Sequence, residues 1–142
     1  MKDLNVCAAV IYNEKGEVLL QLRDNKPNLR SPGYWTLPGG HQEDTESQIE
    51  CIVREIHEET NLKLKNPVYF MSLKDIYESE PFPLVHFYLN HIKSPYNIIC
   101  NEGQELKFWH ISLINNLKVN KYLYLVLCHA KLFDSNRENF AG

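Results

Sequence analysis

Three glutamates stand within five residues of one another, at Glu55, Glu58 and Glu59, next to Arg54. Like charges this close repel each other and cost stability unless a positive group lies between them. Carboxylate oxygens are hard ligands, and they favour Mg²⁺ or Mn²⁺ over zinc. The run therefore predicts a binding site for a divalent cation.

Softer metal ligands are not clustered anywhere in the chain. His57 beside Glu58 has the start of an HExxH zinc helix, but Asn61 stands where the second histidine is required. The four cysteines are widely spaced, which predicts reduced thiols in a cytoplasmic protein rather than a disulfide framework. The expected site is therefore built from oxygen ligands alone.

A helix predicted over residues 46–60 carries these glutamates. Its apolar residues recur at i, i+3, i+4 and i+7, which is typical of one buried helical face. That face consists of Ile49, Ile52, Val53 and Ile56. The glutamates lie on a different face, so the helix can pack on a sheet while they face a cleft. Asp44 or Thr45 is the predicted N-cap, and Asn61 is expected in the left-handed conformation that ends the helix.

Apolar and alternating runs predict strands before and after this helix. The predicted strands cover residues 4–12, 17–23, 34–37, 68–73, 84–92 and 105–111, and a closing helix covers residues 121–133. This order of elements predicts a mixed α/β fold with the sheet between helices. We expect a single domain over residues 1–142, with residues 134–142 as a frayed polar tail.

The approach to the helix adds to the predicted chemistry. Gly39 and Gly40 predict a turn whose backbone can come close to a ligand, and Arg54 can orient Glu55 or meet a phosphate oxygen. Carboxylate-bound metal ions activate water and neutralise a phosphoryl group under attack. The chemistry indicated is hydrolysis of a phosphoric anhydride.

These residues have a recognisable spacing. Gly40, Glu46 and the run from Arg54 to Leu62 resemble the Nudix box, which reads G, five residues, E, seven residues, then R-E-U-x-E-E-x-G-U with U aliphatic. Asn61 replaces the last glycine, a departure that affects the helix terminus rather than the ligands. The preceding run PGYWTLPG at residues 32–39 also resembles the family, and the similarity to MutT-like members extends over residues 4–117.

The resemblance implies an α/β/α sandwich that hydrolyses a nucleoside diphosphate linked to another group, with Mg²⁺ or Mn²⁺. It implies metal ligands at Glu55, Glu58, Glu59 and Glu102, with the carbonyl of Gly39 or Gly40 as a further one. Arg54 would hold Glu55, and either Glu55 or Glu102 would help to deprotonate the attacking water. Glu46 would support the helix.

The substrate contacts are open to two interpretations each. Tyr34 and Trp35 either stack on a nucleobase or pack within the protein. Arg23 is a candidate phosphate contact, whereas Arg30 is expected at the solvent. Phe82, between two prolines, either covers the substrate or plugs the core.

A nucleoside triphosphate is the favoured substrate, with sugar nucleotides and ADP-ribose as alternatives. A non-catalytic nucleotide sensor is disfavoured because all three carboxylates of the box are kept. The net charge of −3 and the lack of a basic run predict no nucleic-acid polymer as partner. We expect no membrane span, a cytoplasmic location and, by default, a homodimer.

Overall fold

The computed structural model of the protein describes residues 4–27, 32–77 and 80–141, with side chains described as far as residue 137. Arg30 and part of its predicted loop lie outside these residues. The strands are β1 Asn5–Tyr12, β2 Val18–Leu22, β3 Trp35–Thr36, β4 Gly39–His41, β5 Val68–Lys74, β6 Leu84–His91 and β7 Glu105–Trp109. The helices are α1 Gln48–Thr60, a 3₁₀ helix Ile111–Asn116 and α2 Tyr122–Ala141.

The strands of the described residues form one mixed sheet in the order β3-β2-β1-β6-β5. β1 runs parallel to β6 along its whole length, and the other pairings are antiparallel. β2 leaves β1 after the pair Tyr12–Val18 and continues between β3 and β7. The other half of that edge of β1 pairs with β4. A cleft therefore opens where β2 and β4 separate.

β1 sends side chains to two cores on opposite faces of the sheet. Ala8 and Val10 pack with Val126 and Leu127 of α2. Residues of the other parity, among them Ala9 and Ile11, pack with α1. Because successive side chains of a strand point to opposite faces, a strand covered on both sides is apolar throughout. The predicted sandwich of a sheet between helices is confirmed.

The N-terminus of α1 differs from the prediction by a few residues. Ser47, rather than Asp44 or Thr45, is the N-cap, and its hydroxyl accepts from the N–H of Glu50 at 3.2 Å. The Glu50 carboxylate in turn accepts from the N–H of Ser47 at 3.0 Å. This reciprocal capping box satisfies two backbone donors that the first turn leaves unpaired. At the other end, Asn61 has φ of 69°, as the sequence predicted.

The buried face of α1 is shifted from the predicted one. Ile52 and Ile56 are fully buried as expected, but Ile49 is 51% exposed and Cys51 is buried instead. Ile49 lies in the first turn of α1, two residues after the N-cap Ser47. Burial of each isoleucine side chain in the core contributes about 1.5–3 kcal/mol, which fixes the rotation of α1 about its axis.

The predicted Gly-Gly turn is a strand. Gly39 and Gly40 pair with Ala8 and Cys7 of β1. A Cβ built on Gly39 would lie 2.0 Å from the carbonyl oxygen of Cys7. Only glycine permits this approach, and it lets β4 pair with β1 while the carbonyl of His41 reaches Arg54 of α1.

The C-terminal helix is longer than predicted. α2 continues to Ala141, so residues 134–141 are helical where a frayed polar tail was expected. His91 Nε2 lies 2.9 Å from an Asp134 oxygen and ties this extension to the end of β6. Among the described residues, no helix is both long and apolar enough to cross a membrane.

Candidate active site

A cavity of about 400 Å³ lies in the cleft between β2 and β4. Its floor is apolar and includes Val6, Ala8 and Phe87 of the central strands. One wall is polar and holds three carboxylates, from Glu55, Glu59 and Glu102. Of the predicted metal-site residues, these three line the cavity together with Gly39 and Gly40.

Glu55 and Glu59 are one helical turn apart on α1, so both face the cavity. Glu59 is buried, with 4% of its surface exposed. Glu58 is on a different side of the helix from Glu55 and Glu59. Its side chain is 59% exposed and does not line the cavity. It nevertheless stays next to Glu55, because Arg54 Nη1 donates to both carboxylates, at 2.9 Å to Glu55 and 3.2 Å to Glu58.

Arg54 joins most of the acidic groups of this region. Besides Glu55 and Glu58, it contacts Glu46 through Nε at 2.9 Å and Nη2 at 2.6 Å, a two-point contact. The hydrogen bonds from this guanidinium lower the pKa of Glu46 to about 2. Its Nη2 also donates to the carbonyl of His41 in β4. Arg54 thus fixes α1 against β4 and holds Glu55 in place.

Glu59 and Glu102 form a pair of neighbouring carboxyl groups. Burial, followed by the charge of Glu102 and a hydrogen bond between the two, raises the pKa of Glu59 to about 9. The N–H of Gly39 donates to Glu59 Oε2 at 3.2 Å and opposes this rise. Two carboxyl groups that share a site ionise together only when a positive charge joins them.

The wall fits a divalent cation by its chemistry. The described residues hold no group of three or more His, Cys, Asp or Glu side chains already arranged around a metal position, and Arg54 already pairs with Glu55 on this wall. Yet the donors are hard oxygens, which suit Mg²⁺ or Mn²⁺. A Cβ on Gly40 would lie 2.4 Å from the Glu55 carboxyl carbon, so glycine keeps the space beside this carboxylate open.

Glu102 reaches the wall because its loop caps the C-terminus of α1. The N–H groups of Ile99 and Asn101 donate to the carbonyls of Thr60 and Glu59, each at 3.0 Å. The Asn101 side chain donates to the carbonyl of Glu58 at 3.0 Å. The last turn of a helix leaves such carbonyls without helical partners. The loop satisfies them and brings Glu102 beside Glu59.

The predicted substrate contacts divide into two groups. Arg23 and Trp35 line the cavity, whereas Tyr34 and Phe82 do not. Arg23 Nε is buried and has no hydrogen-bond partner among the described residues. Tyr34 lies under Lys118, whose Nζ is 4.7 Å from the ring centroid. Trp35 packs edge-on against Trp109.

Several cavity residues were not predicted from the sequence. They come from four separate segments and are Gln21, Asp24, His41, Asp75, Asn120 and Tyr122. Gln21 carried a usable signal, since a buried glutamine in the apolar strand VLLQL must find a hydrogen-bond partner. The others belong to loops or element ends, and only the tertiary fold brings them together.

Sequence comparison finds relatives over part of the chain. It is 39% identical over 74 residues to the 8-oxo-dGDP phosphatase NUDT18 of Mus musculus, which covers 50% of this chain and 22% of that protein. It is 33% identical over 61 residues to the 8-oxo-dGTP diphosphatase of Proteus vulgaris, which covers 43% of this chain and 53% of that protein. The chain therefore spans about half the length of one relative and about a fifth of the other.

Comparison of structures supports the fold. The C. elegans Ap4A hydrolase superposes with a TM-score of 0.77 at 22% identity, over 94% of this chain and 98% of that one. At this identity the likeness shows the fold alone. The family model described as the NUDIX domain matches residues 1–123. This match covers most of the sequence, and the chain therefore belongs to the NUDIX domain family.

Proposed function

We propose that this protein hydrolyses a phosphoric anhydride in a small nucleoside diphosphate derivative, with Mg²⁺ or Mn²⁺ as cofactor. The observation that carries the proposal is the convergence of Glu55, Glu59 and Glu102 on one cavity. Family membership supports it, and so do the two curated relatives, whose names describe a phosphatase and a diphosphatase of oxidised guanine nucleotides.

The cation ligands are Glu55, Glu58, Glu59 and Glu102, with the carbonyl of Gly39 or Gly40 as a further one. Glu58 belongs to this set because it shares one Arg54 nitrogen with Glu55. A cation bound in such a site supplies activated water and neutralises charge on the phosphoryl oxygens. The positive charge of a cation held by these ligands would offset the repulsion between the carboxylates of Glu59 and Glu102.

The chain's own groups complete the chemistry. Arg54 holds the Glu55 carboxylate by a charge-assisted hydrogen bond at 2.9 Å, which keeps it oriented. Glu55 or Glu102 accepts the proton of the attacking water. Of the three carboxylates on the wall, Glu102 is the exposed one, so it is the most accessible to solvent water.

A nucleoside triphosphate is the proposed substrate. The apolar floor and Trp35 suit a nucleobase. The Nε of Arg23, which has no partner among the described residues, suits a phosphate oxygen. Arg23 and Trp35 line the same cavity as the carboxylates, and the backbone of Arg23 lies beside the loop of Glu102. Cleavage releases a nucleotide and an inorganic phosphate or pyrophosphate.

A substrate screen tests the proposal. The protein is incubated with Mg²⁺ and a panel of nucleoside triphosphates, oxidised guanine nucleotides, sugar nucleotides and ADP-ribose, and release of the product nucleotides is measured by ion-exchange chromatography. Glu58→Gln, compared with wild type, should lower release by at least about 100-fold, because a ligand to the reacting cation is lost. Equal release by both proteins, or none by wild type across the panel, would contradict the proposal.

A further inference from the structure

We propose that Gln21 is a positioning residue, which holds the loop of Glu102 so that its carboxylate reaches the bound cation. The inference rests on the proposed function, because it concerns the same carboxylates. It assigns a role to a strand residue that lies 81 positions away in the sequence.

Gln21 is buried, with 6% of its surface exposed. It sits in β2 between two neighbours, opposite Thr36 of β3 and Leu106 of β7. Its side-chain Nε2 donates to the backbone carbonyl of Glu102 at 3.0 Å. Burying a side-chain amide in an apolar strand is costly unless the amide is hydrogen-bonded. The contact with Glu102 offsets this cost for Gln21.

The loop is pressed against the end of β2 at this point. Gly103 has φ of +82°, and a Cβ on it would lie 2.6 Å from the carbonyl oxygen of Leu22. The N–H of Gln104 donates to the same oxygen at 2.8 Å. The Gln21 amide therefore sets the direction of the peptide that leaves the residue bearing the carboxylate.

Other contacts keep the loop in place without Gln21. Asn101 ties it to α1, and the Gln104 side chain donates to the carbonyl of Arg23 at 2.8 Å. The thiol of Cys100 lies 3.3 Å from the Glu102 carbonyl, but a thiol is a weak donor. Loss of the Gln21 amide consequently changes the orientation of Glu102 more than the fold of the loop.

Binding of Mn²⁺ alone tests the role in a double-mutant cycle. The proteins are wild type, Gln21→Met, Glu102→Gln and the double variant, and free Mn²⁺ is measured by electron paramagnetic resonance. Gln21→Met should weaken Mn²⁺ binding about fivefold to tenfold. In the Glu102→Gln background the same change should have less than about a twofold effect, because the group that Gln21 positions is already lost.

Two controls separate positioning from structure and from substrate contact. Tyr88→Phe removes a hydrogen bond to Gln48 away from the cavity, and it should leave the dissociation constant for Mn²⁺ unchanged. With a substrate that wild type hydrolyses, Gln21→Met should lower kcat and leave KM constant. Loss of a direct substrate contact would instead raise KM. Gln21→Leu repeats the cycle if Gln21→Met melts below the assay temperature.

Equal weakening of Mn²⁺ binding in both backgrounds, or none in either, would overturn the positioning role. Mn²⁺ binding is measured without substrate, so the cycle stays readable if wild type hydrolyses nothing. If wild type hydrolyses a substrate but the effects of the two substitutions on Mn²⁺ binding are additive, the role of Gln21 is overturned and the proposed function stands. Wild type that binds no Mn²⁺ overturns both this inference and the proposed cofactor.

Discussion

Glu59 carries a buried carboxyl group, with 4% of its surface exposed. Its neighbours on the cavity wall are also carboxylates, and its pKa of about 9 reflects burial and the charge of Glu102. Between the ordinary pKa of a glutamate and this value, the folded protein binds one proton more than the unfolded chain. Its stability therefore falls as the pH rises through this range.

The first prediction concerns this titration in metal-free protein. From pH 5.5 to 9 in the presence of a chelator, the Tm of wild type should fall relative to that of Glu59→Gln, by about 5 °C or more. Below the unfolded pKa the penalty is absent, because Glu59 is protonated in both states. Thermal melts across this range provide the measurement. A constant Tm difference between the two proteins would show that Glu59 has an ordinary pKa.

At the scale of elements, α1 carries the site and the sheet fixes its rotation. Fully buried Ile52 and Ile56 orient the helix, and Arg54 joins it to β4 through the carbonyl of His41. The capping box of Ser47 and Glu50 defines its first turn. The start of the helix is thus set by local hydrogen bonds, whereas its far end is capped by the loop of Glu102.

The second prediction tests the assignment of the cap. Ser47→Ala should reduce the free energy of unfolding by about 1 kcal/mol, because the N–H of Glu50 loses its acceptor. Thr45→Ala, at one of the two positions predicted from the sequence, is the matched control and should change it by less than about 0.5 kcal/mol. Urea denaturation followed by circular dichroism measures both. A larger loss for Thr45→Ala would return the cap to that residue.

The third prediction concerns the close approach of β4 to α1. Gly40→Ala should displace the Glu55 carboxylate, since its Cβ would lie 2.4 Å from the carboxyl carbon. Mn²⁺ binding should weaken by about tenfold or more, while the fold is kept because the obstacle is the end of a side chain. Gly16→Ala adds a Cβ with nothing within 4 Å, at a backbone with φ of +74°. It should cost stability through its backbone and leave Mn²⁺ binding unchanged. Unchanged Mn²⁺ binding in Gly40→Ala would remove Glu55 from the cation site.

At the scale of the molecule, the sequence predicted the parts that depend on local spacing. The carboxylates of α1 lie on one helix, so their period alone puts Glu55 and Glu59 on one face. The path of the sheet was not predictable in this way. Gln21 meets Glu102, and Asn101 caps α1, only because β7 pairs with β2 and its preceding loop reaches α1. The predicted start of α1 differs from the observed one because Asp44, Thr45 and Ser47 are all good N-cap residues. α2 extends beyond the apolar pattern from which its end was predicted.

The fourth prediction follows from the proposal that the carboxylates of the cleft bind a cation together. Mn²⁺ or Mg²⁺ should raise the Tm of wild type in a concentration-dependent way, because the folded state binds the ion and the unfolded chain does not. Glu59→Gln should lose most of this gain, whereas Tyr88→Phe should keep it. Thermal melts over a titration of each ion provide the test. Equal gains in wild type and Glu59→Gln would indicate that the ion binds elsewhere.

The most direct test of the account is turnover of the best nucleotide of the panel by wild type and Glu59→Gln, each with Mg²⁺ and with a chelator. We expect wild type to turn over the substrate with Mg²⁺ and to lose this turnover in the chelator. Glu59→Gln should have a kcat lower by at least about 100-fold. Wild-type turnover that persists in the chelator, or a fully active and correctly folded Glu59→Gln, would contradict the account.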